Sequence, residues 1–557
     1  MKTVLVRKLL KQVLNTDRQC WNMERFKTIL SFVLIFATGL SFGQARYVVH
    51  LKDKSNSPFE ISNPVEYLSN RAIERRTAQN IEITEEDLPV NPDYIDEIEN
   101  TGAEVFFTSK WFNNVLVQAS EAEVASIELL SFVDSVEFVA PGEKLKSNSR
   151  MADLEDGEGT EALQTDFQNN LIGVQELQNE GFLGEGIIIA FMDGGFLGVD
   201  NTSPFEHLFN DNKIKCQYNL VENDDNPFQY LQHGTQVLST VVAKIPDTYI
   251  GVAPEADIML FITEDDSGSR PEFRIEEYNF LYAAEMADSA GVDIINASVG
   301  YNTFDSAYMN YTYEQMDGNS TVITRAAEKA FTKGILVVTS AGNEGTSSWQ
   351  YVTAPADGPN VLSIGSVESN LSKSSFSSIG PTADGRIKPD LMAYGRSTAL
   401  IGQNGNVGSN SGTSFASPQV AGLAALLWQR NPELTNKELF DLLLSLGSQA
   451  NNPDNLYGHG IPNHVMDITA IDDLKDKNLL VYPNPFSSEL QINSLVAQRL
   501  YHFNVIDASG KMLREITVNS DYDGTVTLDL DDVNAGFYLL EIQGDSGNPS
   551  IHRIVKY

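Results

Sequence analysis

The chain has 557 residues, 42% hydrophobic and 20% charged, which is too long for one ordinary core and too apolar for a disordered chain. Lys and Arg total 38 against 76 Asp and Glu, a net charge of -38, so sustained binding to nucleic acid or to anionic lipid is excluded as a main role. Two cysteines, Cys20 and Cys216, cannot build a disulfide framework, and the seven histidines form no His-x-x-x-His set that would indicate zinc.

The first element in chain order is an apolar run over 29–40, preceded by Arg25 and Lys27 and followed by SFGQA. That order of charge, apolar core and small residues is a secretory signal, too short to span a bilayer comfortably, so export is expected and a stable membrane span is not. A start at Met23 would give a signal of ordinary length, with cleavage after Gly43 or Ala45. Residues 46–53, 113–120 and 133–139 then alternate apolar with polar side chains as half-buried strands do, and helical spacing lies between the last two. A small α+β unit over 44–148 is predicted. The polar, acidic stretch that follows reads as an exposed linker over 149–169.

From Gly186 the rhythm changes to apolar strand runs, GIIIAFM, ADIMLFI, VDIINAS, GILVVTS and NVLSIGS, interleaved with amphipathic helices near 274–290 and 322–333. Strands buried on both faces with helices between them predict an α/β domain with a parallel sheet, assigned to 170–468 and closed by helices over 414–428 and 436–446. After a charged linker at 469–478, short strands separated by turn residues predict an all-β sandwich over 479–557. Cys216 is expected to be a buried small hydrophobe without a partner.

In open α/β sheets reactive groups lie beyond the carboxyl ends of strands, which singles out the residues after each apolar run. Asp193 follows GIIIAFM, His233 opens a helix in LQHGTQVLS, Asn343 follows GILVVTS, and Ser414 stands at the mouth of the helix in NSGTSFASPQVAG, with Pro418 expected in its first turn. These are the parts for acyl transfer. A serine hydroxyl becomes a nucleophile when an imidazole takes its proton, a carboxylate orients the imidazole, and an amide N–H with a helix-start N–H can hold an oxyanion.

Asp193-Gly-Gly, His233-Gly-Thr, Ala-Gly-Asn343 and Gly-Thr-Ser414-Phe-Ala-Ser-Pro418, in that order, resemble the subtilisin-like serine endopeptidases, as do 374–395 and 354–366. The resemblance covers about 170–468. It implies a secreted hydrolase acting on polypeptides with Asp193, His233 and Ser414 as its triad, Asn343 at the oxyanion, and Ser298, Val299 and Gly300 pairing with substrate as an added strand. It requires no cofactor for the chemistry. It allows structural calcium near the acidic segments 222–226 and 263–269, with no metal ligand assigned.

By resemblance, too, 44–148 is an inhibitory propeptide and 479–557 is a sorting domain of the type IX secretion machinery, placing the protein outside the cell or at its surface. There are departures from the family pattern: Gly194 stands where Ser or Thr is usual, Phe415 where Met is common, and Gln419 where His is common. The competing expectation is a catalytically silent member of the fold serving as a surface or matrix-binding protein; the intact Asp193, His233, Asn343 and Ser414 argue against it.

Overall fold

The structure, a computed structural model, describes residues 44–142, 155–156, 165–265, 272–463 and 480–556, apart from 485, 494, 496–498, 508–510, 522–524 and 545–549. The signal at 1–43, most of the first linker, the second linker and part of the 263–269 acidic segment lie outside the described residues.

Four antiparallel strands form the N-terminal sheet: β1 (Ala45–Leu51), β2 (Glu104–Ser109), β3 (Asn114–Ala119) and β4 (Val133–Pro141), in the order β2-β3-β1-β4. Their alternation turns Val49, Val115 and Val117 onto α2 (Pro92–Glu99) and α3 (Glu121–Ile127), where they pack with Ile98 and Ile127. The other face turns Val48, Leu116 and Val139 away from these helices, into the core described below. A further helix, α1 (Asn70–Ala78), is started by Ser69, whose Oγ accepts from the Ala72 N–H at 3.1 Å.

The central sheet has seven strands: β5 (Ile188–Asp193), β6 (Ile214–Asn219), β7 (Asp257–Ile262), β8 (Ile294–Ala297), β9 (Leu336–Ser340), β10 (Val361–Val367) and β11 (Leu391–Tyr394). All are parallel, in the order β11-β10-β9-β8-β5-β7-β6. β5, β9 and β10 are buried along their whole length, as their unbroken apolar runs require. The longer helices are α4 (His233–Val242), α5 (Ile275–Ala290), α6 (Val322–Thr332), α7 (Thr413–Arg430) and α8 (Asn436–Ser445).

The described residues from 44 to 463 pack as one body. Val48, Leu116 and Val139 of the N-terminal sheet and Trp111 of the turn between β2 and β3 share a single apolar core with Phe280, Ala284 and Ala287 of α5 and Ile295 of β8. Cys216 is buried, as expected, but it is not without a partner.

The C-terminal body, described by itself, has two antiparallel sheets, one of Leu480–Tyr482, Glu489–Asn493 and Val526–Asp529, the other of Met512–Asn519, Leu500–Asp507, Gly536–Gly544 and Ser550–Lys556. Leu490, Ile492, Phe503, Val505, Leu528, Leu540 and Ile554 fill the space between them. Among the described residues no helix is long and apolar enough to cross a membrane.

Candidate active site

Asp193 ends β5, the strand between β7 and β8, and is 1% exposed. Its Oδ1 accepts from the Gly194 N–H at 2.8 Å and lies 2.8 Å from His233 Nδ1. Its Oδ2 is buried with no hydrogen-bond partner among the described residues. A hydroxyl at 194 could have served it; glycine there supplies only its backbone.

His233 begins α4, and the close approach of that helix to the end of β5 depends on Gly234. A Cβ at Gly234 would lie 2.5 Å from the Gly195 carbonyl oxygen and 3.0 Å from Asp193 Cβ. Thr235 fastens the same turn by donating its hydroxyl to the Leu197 carbonyl at 2.8 Å. The imidazole is thereby held at the carboxylate by backbone packing on one side. On the other side the Phe415 ring, 2% exposed, lies 5.6 Å from the imidazole centre.

Ser414 is the second residue of α7 and is 8% exposed. The first N–H groups of a helix have no acceptor within it and carry the positive end of its dipole, so this helix start is suited to a developing negative charge. The Ser414 Oγ faces the Ser298 carbonyl at 3.4 Å. Pro418 is the sixth residue of α7, in the second turn and not the first as expected.

Asn343 sits three residues beyond β9 and is exposed. Its Oδ1 accepts from both the N–H and the hydroxyl of Thr413, each at 3.0 Å. With the carbonyl end committed to the residue beside the nucleophile, the NH2 end is left as a donor near Gly412 and the helix start. Thr413 did not stand out in the sequence, although a hydroxyl immediately before the nucleophile was its signal.

Ser298, Val299 and Gly300 follow β8 directly. Val299 is buried, Gly300 is exposed, and the next residue, Tyr301, exchanges backbone hydrogen bonds with Ala354 at 2.9 and 3.1 Å. The segment thus runs past the Ser414 hydroxyl and is anchored at its far end.

The acidic segment 222–226 uses its side chains locally. Glu222 accepts from the Tyr230 hydroxyl at 2.7 Å, Asn223 from the Tyr218 hydroxyl at 2.5 Å, and Asp224 from the Asn226 N–H at 3.0 Å. Among the described residues no group of three or more His, Cys, Asp or Glu side chains is gathered as a set of metal ligands.

A model of the subtilase family matches residues 184–460, a model of the Bacteroidota peptidase S8 propeptide domain matches 46–154, and a model of the secretion system C-terminal sorting domain matches 480–557. Among similar proteins, subtilisin NAT of Bacillus subtilis subsp. natto is 32% identical over 291 residues, covering 52% of this chain and 67% of the relative. Subtilisin of Bacillus pumilus is 31% identical over 291 residues, covering 52% of this chain and 92% of the relative. Serine protease AprX of Bacillus subtilis strain 168 is 30% identical over 309 residues, covering 50% of this chain and 65% of the relative.

Proposed function

The chain belongs to the subtilase family of serine endopeptidases, and on that premise we propose that Asp193, His233, Ser414 and Asn343 carry out acyl transfer on polypeptides. The roles are those of subtilisin, the type enzyme for them, taken position by position. His233 removes the Ser414 proton as the hydroxyl attacks a peptide carbonyl. Asp193, hydrogen-bonded at Nδ1, fixes the tautomer and stabilises the imidazolium. The Asn343 amide and the Ser414 backbone N–H donate to the oxyanion, and His233 returns the proton to the departing amine. Water then repeats the sequence on the acyl-enzyme. The backbone of Ser298, Val299 and Gly300 pairs with the substrate as an added strand.

Residues 44–148 act as an intramolecular inhibitor, cut at the linker and released later; the burial of their sheet against α5 supports this. Residues 479–557 direct the protein across the outer membrane by type IX secretion, so the mature enzyme works outside the cell or at its surface. The match of 480–557 to a sorting domain supports that part.

The observation that carries the reading is the 2.8 Å contact of His233 with Asp193 at the sheet's carboxyl edge, with the helix that bears Ser414 brought to the same imidazole through Phe415. Its test is covalent labelling with a fluorophosphonate. Label on Ser414, located by peptide mass, is the expected result. A folded, processed enzyme that takes no label would favour the silent, matrix-binding alternative.

Phe415 has a second consequence. A Met beside the nucleophile would be oxidised to a bulky sulfoxide, and a phenyl ring is not, so activity should survive a peroxide challenge that inactivates a Met-bearing relative. Equal inactivation rates would contradict this.

A further inference from the structure

A proline inside a helix removes one hydrogen bond and crowds the carbonyl four residues before it. In α7 that proline is Pro418, and the carbonyl it leaves without a helical donor belongs to Ser414. The structure fills this gap with a side chain from another element. Ser298 Oγ donates to the Ser414 carbonyl at 2.9 Å. The same oxygen accepts from Asn296 Nδ2 at 3.2 Å and lies 3.2 Å from Ser417 Oγ. Ser298 is 6% exposed, Asn296 1% and Ser417 0%, so the hydroxyl is committed inside the protein and has no capacity left for substrate.

The two serines are therefore linked twice in opposite senses. The side chain of Ser298 holds the main chain of Ser414, and the main chain of Ser298 receives the hydroxyl of Ser414 at 3.4 Å. One residue belongs to the segment read as pairing with substrate, the other to the helix that bears the nucleophile. Their relative position sets how far the attacking oxygen stands from the scissile carbonyl, a distance to which rates are steeply sensitive.

We propose that Ser298 is a positioning residue whose hydroxyl supplies the hydrogen bond that Pro418 withholds from the Ser414 carbonyl, locking the nucleophile helix to the substrate-pairing segment. This rests on the reading of Ser414 as the nucleophile and adds to it a role for a side chain whose backbone alone was assigned.

The test compares the full-length chain, expressed and processed, as wild type, Ser298→Ala, Ser298→Thr and Ser298→Ala/Pro418→Ala. Each is measured for kcat and KM on one peptide substrate and for the rate of fluorophosphonate labelling. Ser298→Ala should lower kcat and the labelling rate by roughly 10- to 100-fold with KM little changed, the size expected of a displacement on the order of 1 Å. Ser298→Thr keeps the hydroxyl and should retain most of the activity. In the double variant the alanine at 418 restores the N–H that donates to the Ser414 carbonyl, so both rates should return to within a few-fold of wild type.

Unchanged rates in Ser298→Ala would overturn the proposal, as would a double variant no better than the single one. If Ser298→Ala does not accumulate as folded protein, the double variant decides alone: recovery of labelled enzyme supports the proposal and its continued absence overturns it. Failure of the wild type to label at Ser414 would instead sink the nucleophile reading, and this proposal with it.

Discussion

With Ser414 replaced by alanine, peptide hydrolysis falls by about 10⁶-fold, a magnitude established for subtilisin itself and not obtained from this geometry. The variant chain is also exported with residues 44–148 still attached. The first result follows because an imidazole with no hydroxyl to deprotonate can only assist water, while the oxyanion donors keep their small residual benefit. The second follows if the linker is cut by the chain's own site. The substitution should cost little stability: the hydrogen bond of the Ser414 hydroxyl to the Ser298 carbonyl is long, 3.4 Å, and α7 is held by its buried apolar face. Thermal unfolding close to wild type, together with lost turnover and a precursor of full mass, is the expected set. Release of 44–148 from this variant would assign the processing cut to another protease.

Asp288→Asn should produce the second large effect, on the hold of the N-terminal region. Asp288 lies on α5, 0% exposed, and faces three cations from that region: Arg75 Nη2 at 2.6 Å, Arg76 Nη2 at 2.8 Å and Lys110 Nζ at 3.0 Å. Arg76 also reaches Asp87 at 2.9 Å, which Lys333 meets at 3.1 Å. A second carboxylate of α5, Glu285, accepts the backbone N–H groups of Lys110 and Trp111 at 2.8 and 3.0 Å, and the Ser109 hydroxyl. Removing the charge of Asp288 leaves three buried cations around a neutral amide, which costs about 3 to 5 kcal/mol. That corresponds to roughly two to four powers of ten in the docking equilibrium. After processing, the N-terminal piece should stay with the wild-type peptidase on gel filtration and separate from the Asp288→Asn enzyme, whose activity should appear earlier. Persistent co-elution would mean that the shared apolar core alone holds the piece.

The charges also fix how this docking responds to acid. Burial pushes the Asp288 carboxyl up, but Lys110, Arg76 and Arg75 outweigh it and hold it well below the usual carboxylate range. Burial likewise raises Glu137, and hydrogen bonds from His50, Tyr278 and Arg274 overcome it and bring it down to about 2. A depressed carboxylate contributes its full binding above its free-state pKa and loses it progressively as pH falls from there to the bound-state value, so the contribution of these two is whole above the ordinary carboxylate range and fades below it. Glu285 and Asp293 are pushed up by burial, which favours their protonated forms in the docked state and strengthens docking as pH falls. Co-elution should therefore persist from pH 7 to 4.5.

The central sheet was legible because strands buried on both faces leave unbroken apolar runs, and four chemically apt residues stood at or beyond strand ends or opened helices, flanked by glycine. Helix α1 was not legible. Nothing in the sequence marks Arg71, Arg75 and Arg76 as paired, because the carboxylates that meet them, Asp288 and Asp293, lie more than 200 positions away. The support of the site was hidden for a similar reason. Thr413 orients Asn343, and Ser298 serves a carbonyl vacated by Pro418; each depends on a meeting of distant segments that periodicity does not encode. The offset of Pro418 by one helical turn is what creates that vacancy.

The central claim is that the gathered side chains work as one unit. Residual kcat measured for Ser414→Ala, for His233→Ala and for the two combined tests it most directly. The double variant should be no slower than the slower single one, because either loss disables the same proton transfer and attack. Losses that multiply in the double variant would show that the two residues act independently, and would contradict it.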